Sequence, residues 1–229
     1  MTAGRLRAAR RIAAKDLLVE RRSRVLVNQV LPFSGLVMVV FAFALGTGGV
    51  LERAAPGLIW LAVLFSTLVT VQRSFAIETA DGALESLRVA GVDPVALFLG
   101  KAAALAVELI ALIAVLLGLA VVLYGAEPRA EGVVLLVTTA ISATCGLAAL
   151  GTIYGGLAAG GPGRETLLPL LILPVAAPVL IGATRGVEAA LGTDRTAVSE
   201  GWPWVGLLTV FAVAVGVSGA LAFGTLIED

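Results

Sequence analysis

The chain has 229 residues, 59% of them hydrophobic and only 14% charged, with a formal net charge of zero. Soluble domains run nearer half apolar and a quarter charged; a soluble core has no room for this much apolar side chain, and the balanced charge gives a nucleic-acid partner nothing to hold. There is no histidine, which removes the commonest metal ligand and general base, and the single cysteine, Cys145, excludes an intrachain disulfide.

Residues 1–24 read as a cytoplasmic amphipathic segment. Arg5, Arg7, Arg10, Arg11, Lys15, Arg21, Arg22 and Arg24 crowd it, while Leu6, Ala9, Ala13 and Leu17 recur at spacings of three and four and form one weak apolar stripe. So much basic, helix-compatible chain ahead of the first apolar run is unlike a signal peptide, which has a short basic stretch, a short apolar core and a cleavage site. Such a helix can lie in the headgroup layer with its basic face on anionic lipid, and Asp16, Leu17, Glu20 and Arg22 are its candidate interface residues toward a partner. A solvated basic tail is the plainer alternative.

The expected fold is all-α and polytopic, with about six transmembrane helices of ~20 apolar residues each. In chain order they run from about Val25 to Gly46, Pro56 to Val71, Val95 to Tyr124, Gly132 to Leu157, Thr166 to Thr184 and Trp204 to Ile227. The positive-inside rule orients them. Twelve basic residues fall on the side of the N-terminal segment and four (Arg53, Arg129, Arg185 and Arg195) on the other. Both termini are therefore expected in the cytoplasm. Trp60, Trp202 and Trp204 fall near the expected outer ends, where indoles favour the interface. The chain reads as a single transmembrane domain over residues 1–229, with no soluble domain attached.

The connection over residues 72–94 has a helical pattern of its own. Ala76, Ala80, Ala83, Leu84 and Leu87 share one face, and Glu78, Asp81, Glu85 and Arg88 share the opposite one. Asp81-Gly82 interrupts good helix formers and predicts a bend or break. Asp93-Pro94 then punctuates before the third span, since proline disfavours helix at the residue before it and suits the first helical position. An acidic helix joined to two spans is suited to take force from a cytoplasmic partner; an ordinary solvated connector is the alternative.

Within the spans, Glu108 is the one deep acidic residue. It lies roughly 10 Å along the helix from Lys101 at about 1.5 Å per residue, too far for a direct pair. Intramembrane carboxylates are costly and usually face a bundle interior or a wet cavity. Glu108 is thus expected to face protein, as a contact with an adjacent membrane subunit, a polar point on a substrate path, or a structural residue. The fourth span carries Thr138, Thr139, Ser142, Thr144, Cys145, Gly146 and Thr152, and its Gly151-x-x-x-Gly155 spacing permits close helix approach. Pro169, Pro174 and Pro178 predict a kinked or broken fifth span, its outer half near residues 178–192 forming a short re-entrant or surface helix.

The run Glu78-Thr79-Ala80-Asp81-Gly82-Ala83-Leu84-Glu85-Ser86-Leu87 resembles the acidic coupling helix by which type-2 ABC exporter permeases dock on their ATPase. More narrowly, the chain resembles the CcmB family of haem-exporter permeases. Lys15 to Arg24, Ala55-Pro56-Gly57-Leu58-Ile59-Trp60, Gln72-Arg73-Ser74-Phe75, Gly100-Lys101 and Arg164 to Pro174 carry the likeness, which covers essentially the whole chain. The resemblance implies that residues 72–94 form a cytoplasmic coupling helix, with Glu78, Asp81, Gly82, Leu84, Glu85 and Leu87 as the ATPase-coupling residues. It also implies a bacterial inner-membrane location. The implied partners are a CcmA-like ATPase that holds the ATP, a CcmC-like haem-handling membrane protein, a CcmD-like small membrane protein and a CcmE-like haem chaperone. Haem is then the candidate cargo of the complex. A type-2 permease for a lipid, glycan or drug, or a non-conducting subunit that transmits force, are the alternatives.

No catalytic machinery is legible. A phosphate-binding Gly-x-x-x-x-Gly-Lys-Ser/Thr loop is missing: Val95 stands where Gly100-Lys101 would need an earlier glycine, and Ala102 follows. ATP hydrolysis is therefore expected on another chain. No Cys-x-x-Cys-His occurs for covalent haem attachment. Met38, Tyr124, Tyr154 and Cys145 are the remaining side chains able to ligate haem iron, and each reads better as packing or interface. No cofactor or metal site is expected on the chain itself.

Overall fold

A computed structural model describes residues 3–46, 49–80, 91–126, 129–159 and 168–226. Among them there are helices and no strands, and six helices are long and apolar enough to cross a membrane. Helix α1 covers Ala3–Ser23. A π-helical turn over Leu26–Val30 leads into α2, Leu31–Leu45. Then come α3, Val50–Ala80; α4, Pro94–Tyr124; α5, Val133–Ala159; α6, Leu168–Leu191; and α7, Trp202–Leu226.

The boundaries have local causes. Arg24 adopts φ +52°, a left-handed conformation that ends α1 and lets the chain turn into the membrane. The Glu20 carboxylate accepts the backbone N–H of Leu26 and the Ser23 hydroxyl, satisfying donors that the break leaves free. Pro32, which has no N–H to give, is the second residue of α2, just past the π-turn. Asp93 caps α4 by accepting Val95 N–H at 2.9 Å, Pro94 opens the helix, and Gly125 closes it at φ +66°.

Helix α4 is the centre of the bundle. Leu97, Phe98, Leu109, Leu112, Ile113 and Leu116 on it are buried against α3, α5 and their neighbours. Small residues set the closest approaches. A Cβ at Gly155 on α5 would stand 2.4 Å from the Phe75 ring, and one at Gly151 would stand 2.7 Å from Val71, so the Gly-x-x-x-Gly ridge lies directly on α3. Hydroxyl pairs cross between helices at Ser34–Ser66, 2.8 Å, and Ser142–Thr209, 3.1 Å. The Tyr124 hydroxyl donates to the Met38 carbonyl at 2.9 Å.

Three expectations need correction. The second span is not confined to Pro56–Val71: α3 runs unbroken from Val50 to Ala80, so residues 72–80 continue the spanning helix rather than begin a separate one. Residues 81–90 lie outside the described residues. The early start of α3 also carries Trp60 roughly 9 Å deeper than its expected interfacial position, at about 1.5 Å per residue, and Trp60 is wholly buried. Finally, α6 is not broken at its prolines, and residues 178–191 form no separate short helix. Pro174 and Pro178 share an exposed face four residues apart. Ile172, Ala176, Val179, Ala183 and Val187 on the opposite face are fully buried, and that packing holds the helix together.

Gly155→Val should therefore lower the midpoint of thermal unfolding in detergent, by the equivalent of about 1–3 kcal/mol for overpacking a closed contact. Gly118→Ala, where a Cβ meets nothing within 4 Å, should leave it unchanged or slightly raised.

Candidate functional site

The polar residues of the bundle converge where α1 crosses the start of α4. Ala9 and Ile12 are buried in this crossing. They reach so close because position 100 has no side chain: a Cβ there would stand 2.7 Å from both the Ala9 carbonyl and the Ile12 Cβ. Helix α1 therefore rests on α4 instead of lying only in the headgroup layer. Its buried line runs through Ala9 and Ile12 toward half-buried Asp16, while Leu6 of the expected apolar stripe is 63% exposed.

Lys101, in the second turn of α4, is the most deeply buried cation at this crossing, at 3% exposure. Its ammonium lies 3.5 Å from an Asp16 carboxylate oxygen and donates to the Ser74 hydroxyl of α3 at 3.3 Å. It also sits 4.6 Å from the centre of the Phe75 ring. Asp16 is shared with Lys15 at 2.9 Å. At the far end of α1, Arg5 pairs with Asp93, the residue that caps α4. Two ionic ties thus fasten α1 to the first turns of one spanning helix.

Two turns beyond Lys101 on the same face of α4, Glu108 is 9% exposed and turned into the protein. It lies in the wall of a cavity of about 70 Å³ that is also lined by Lys15, Asp16, Glu20, Thr70, Arg73 and Ser74. A second, smaller cavity of about 20 Å³ shares Asp16, Thr70, Ser74 and Glu108 and adds Lys101 and Thr152. Among the described residues no group of three or more acidic or cysteine side chains is close enough to hold a metal ion.

The structure therefore gathers Asp16, Glu20 and Glu108 of the candidates around one polar space. Leu17 is half-buried and does not line it, and Arg22 is exposed. Glu78 lies on the last turn of α3; its side chain, and Asp81, Gly82, Leu84, Glu85 and Leu87, fall outside the described residues. Met38 is wholly buried and Tyr124 is engaged with its carbonyl, whereas Cys145 is exposed on the bundle surface. Sequence reasoning weighed Lys101 only as a partner too distant for Glu108, and placed none of Lys101, Arg73, Ser74 and Thr70 in a site. The signal for Lys101 was present: a spacing of seven to Glu108 puts both on one helix face.

An all-α bundle of six membrane-spanning helices, with an amphipathic helix tied to its third span, is a polytopic membrane protein. The chain belongs to the CcmB family: the family model described as CcmB protein matches residues 7–228. Among its relatives, heme exporter protein B of Paracoccus denitrificans is 36% identical over 186 residues, covering 79% of this chain and 83% of that one. The protein of the same name from Haemophilus influenzae is 32% identical over 187 residues, 78% of this chain and 80% of its own. That of Pseudomonas aeruginosa is 30% identical over 213 residues, 89% and 90% of the two chains.

Removing Lys101 leaves Asp16 with the half-exposed Lys15 as its counter-charge and empties a buried position between α1, α3 and α4. Lys101→Ala should cost about 3 kcal/mol of unfolding free energy. In a double-mutant cycle with Asp16→Asn, the pair should lose less than the sum of the single losses, by about 0.5–3 kcal/mol. Additive losses in detergent-solubilised protein would show that the two side chains do not act on each other.

Proposed function

We propose that this chain is the permease subunit of an ABC complex that exports haem for cytochrome c maturation. Membership of the CcmB family along nearly the whole chain, with relatives named for haem export, carries this reading. It is a transporter subunit and not a catalytic enzyme. The hydrolysis of ATP belongs to a CcmA-like partner on the side of the basic N-terminal segment, which is the cytoplasmic side of a bacterial inner membrane. CcmC-like and CcmD-like membrane proteins and a CcmE-like chaperone complete the complex, and haem is its cargo.

The coupling residues are Glu78, Asp81, Gly82, Leu84, Glu85 and Leu87. Their position supports this role, because they join two long helices without an intervening domain. Helix α3 enters the segment as an unbroken extension of a span, and α4 leaves it through the Asp93 cap. A push on the segment is passed to α3 directly and to α4 at the end where α1 is tied.

Reversing charge at Glu78, Asp81 and Glu85 together, each to Lys, should lower c-type cytochrome levels more than about tenfold, since 1.4 kcal/mol at an interface is already a factor of ten. Co-purification with the ATPase should fall in parallel. Wild-type cytochrome levels and full recovery of the ATPase would sink the coupling assignment. Recovery of an ATPase with no haem-handling membrane protein would redirect the cargo to another class.

A further inference from the structure

Glu108 serves neither of the ionic ties that hold α1. It is nine-tenths buried in an apolar helix, in the wall that the two cavities share. A carboxyl group in that position is costly unless something supplies hydrogen bonds. Lipid is not the alternative, since the side chain is turned away from it. The two cavities that Glu108 joins, about 70 and about 20 Å³, are the remaining source.

Their size selects the occupant. One water needs on the order of 10–15 Å³ of such space, so the cavities hold a few waters and exclude an organic cargo. Their lining is suited to water. Thr70 and Ser74 present hydroxyls, and the Arg73 Nε, on the same wall, is a buried donor without a partner. A metal ion is disfavoured, because Asp16, Glu20 and Glu108 are not grouped closely enough to ligate one. The larger cavity reaches the surface beside Lys15, whose side chain is 47% exposed.

We infer that Glu108 is a proton-binding site inside the membrane, served by a water-filled pocket beneath α1. A hydronium arriving through the pocket gives its proton to a Glu108 carboxylate oxygen and leaves as water; the reverse step returns it. The charged groups that face this exchange are Lys15, Asp16 and Glu20 from α1, Arg73 from α3 and Lys101 from α4. From α5 the facing polar group is the Thr152 hydroxyl, which donates to the Ala148 carbonyl of its own helix.

Infrared difference spectroscopy of the full chain in phosphatidylcholine vesicles tests this. Acidification should raise a protonated-carboxyl band that shifts in D₂O and is lost in Glu108→Gln. Glu108→Asp should retain the band, and Arg73→Gln, which keeps the carboxyl group and removes the facing guanidinium, should retain it with a shifted midpoint. Three results would each overturn the inference: a band present at every pH reached, a band that does not shift in D₂O, and a spectrum that Glu108→Gln leaves unchanged. Because the measurement needs neither ATPase nor haem, its outcome is separate from that of the proposed function.

Discussion

A buried ammonium group must find a counter-charge, and the arrangement around Lys101 is the consequence. Left alone at 3% exposure it would be destabilising by several kcal/mol. Asp16 from α1 and Ser74 and Phe75 from α3 meet that need, so three elements are drawn to one atom. The meeting is possible only because the residue before Lys101 is glycine, which lets the α1 backbone come within reach. Asp93 extends the same logic about two turns outward. One of its carboxylate oxygens caps α4 while the other takes Arg5, so the start of a span and the docking of α1 depend on a single side chain.

The spans were legible because twenty-residue apolar runs have few alternative uses, and Asp93-Pro94 was legible because capping is local chemistry. What escaped the sequence was decided by packing. Pro56 looks like a helix start, yet α3 begins six residues earlier. Pro174 and Pro178 look like a break, yet they lie on one outward face while small and branched residues hold the other. Trp60 has interfacial composition, but depth depends on where its helix begins, which no residue near it announces. The polar site shows the same division. Glu108 was expected to face protein because its cost in lipid is a property of the residue alone. Its neighbours on α1 and α3 could not be found without the crossing that Gly100 permits.

Burial is uneven across the bundle, and the unevenness has a physical meaning. Helices α3, α4 and α5 carry the packed interior, whereas α2 and α7 turn large apolar side chains outward, with Phe43 at 85% and Leu221 at 79% exposure. In water such faces would be liabilities; in acyl chains they cost little. Polar lining is concentrated instead at the α1 end, where charged residues surround the cavities, while Ile59, Trp60, Leu112 and Leu116 are fully buried in the interior.

The hydroxyl groups of the interior point to how the helices can move. Thr67, Thr144 and Thr152 each donate to a carbonyl of their own helix, one turn back. Their hydrogen bonds therefore do not resist motion between helices. Close contacts across α3 and α5 are made by glycine against Val71 and Phe75, which have directional demands of shape but not of polarity. A helix pushed along its axis would exchange one apolar contact for another and break few hydrogen bonds. The ionic contacts that tie α1 to α4 are gathered at Lys101 and Asp93, while Ser34–Ser66, Ser142–Thr209 and Tyr124–Met38 supply single hydrogen bonds between other helices. A bundle built this way is tied by charge at the α1 end and held mainly by complementary shape where α3 and α5 cross.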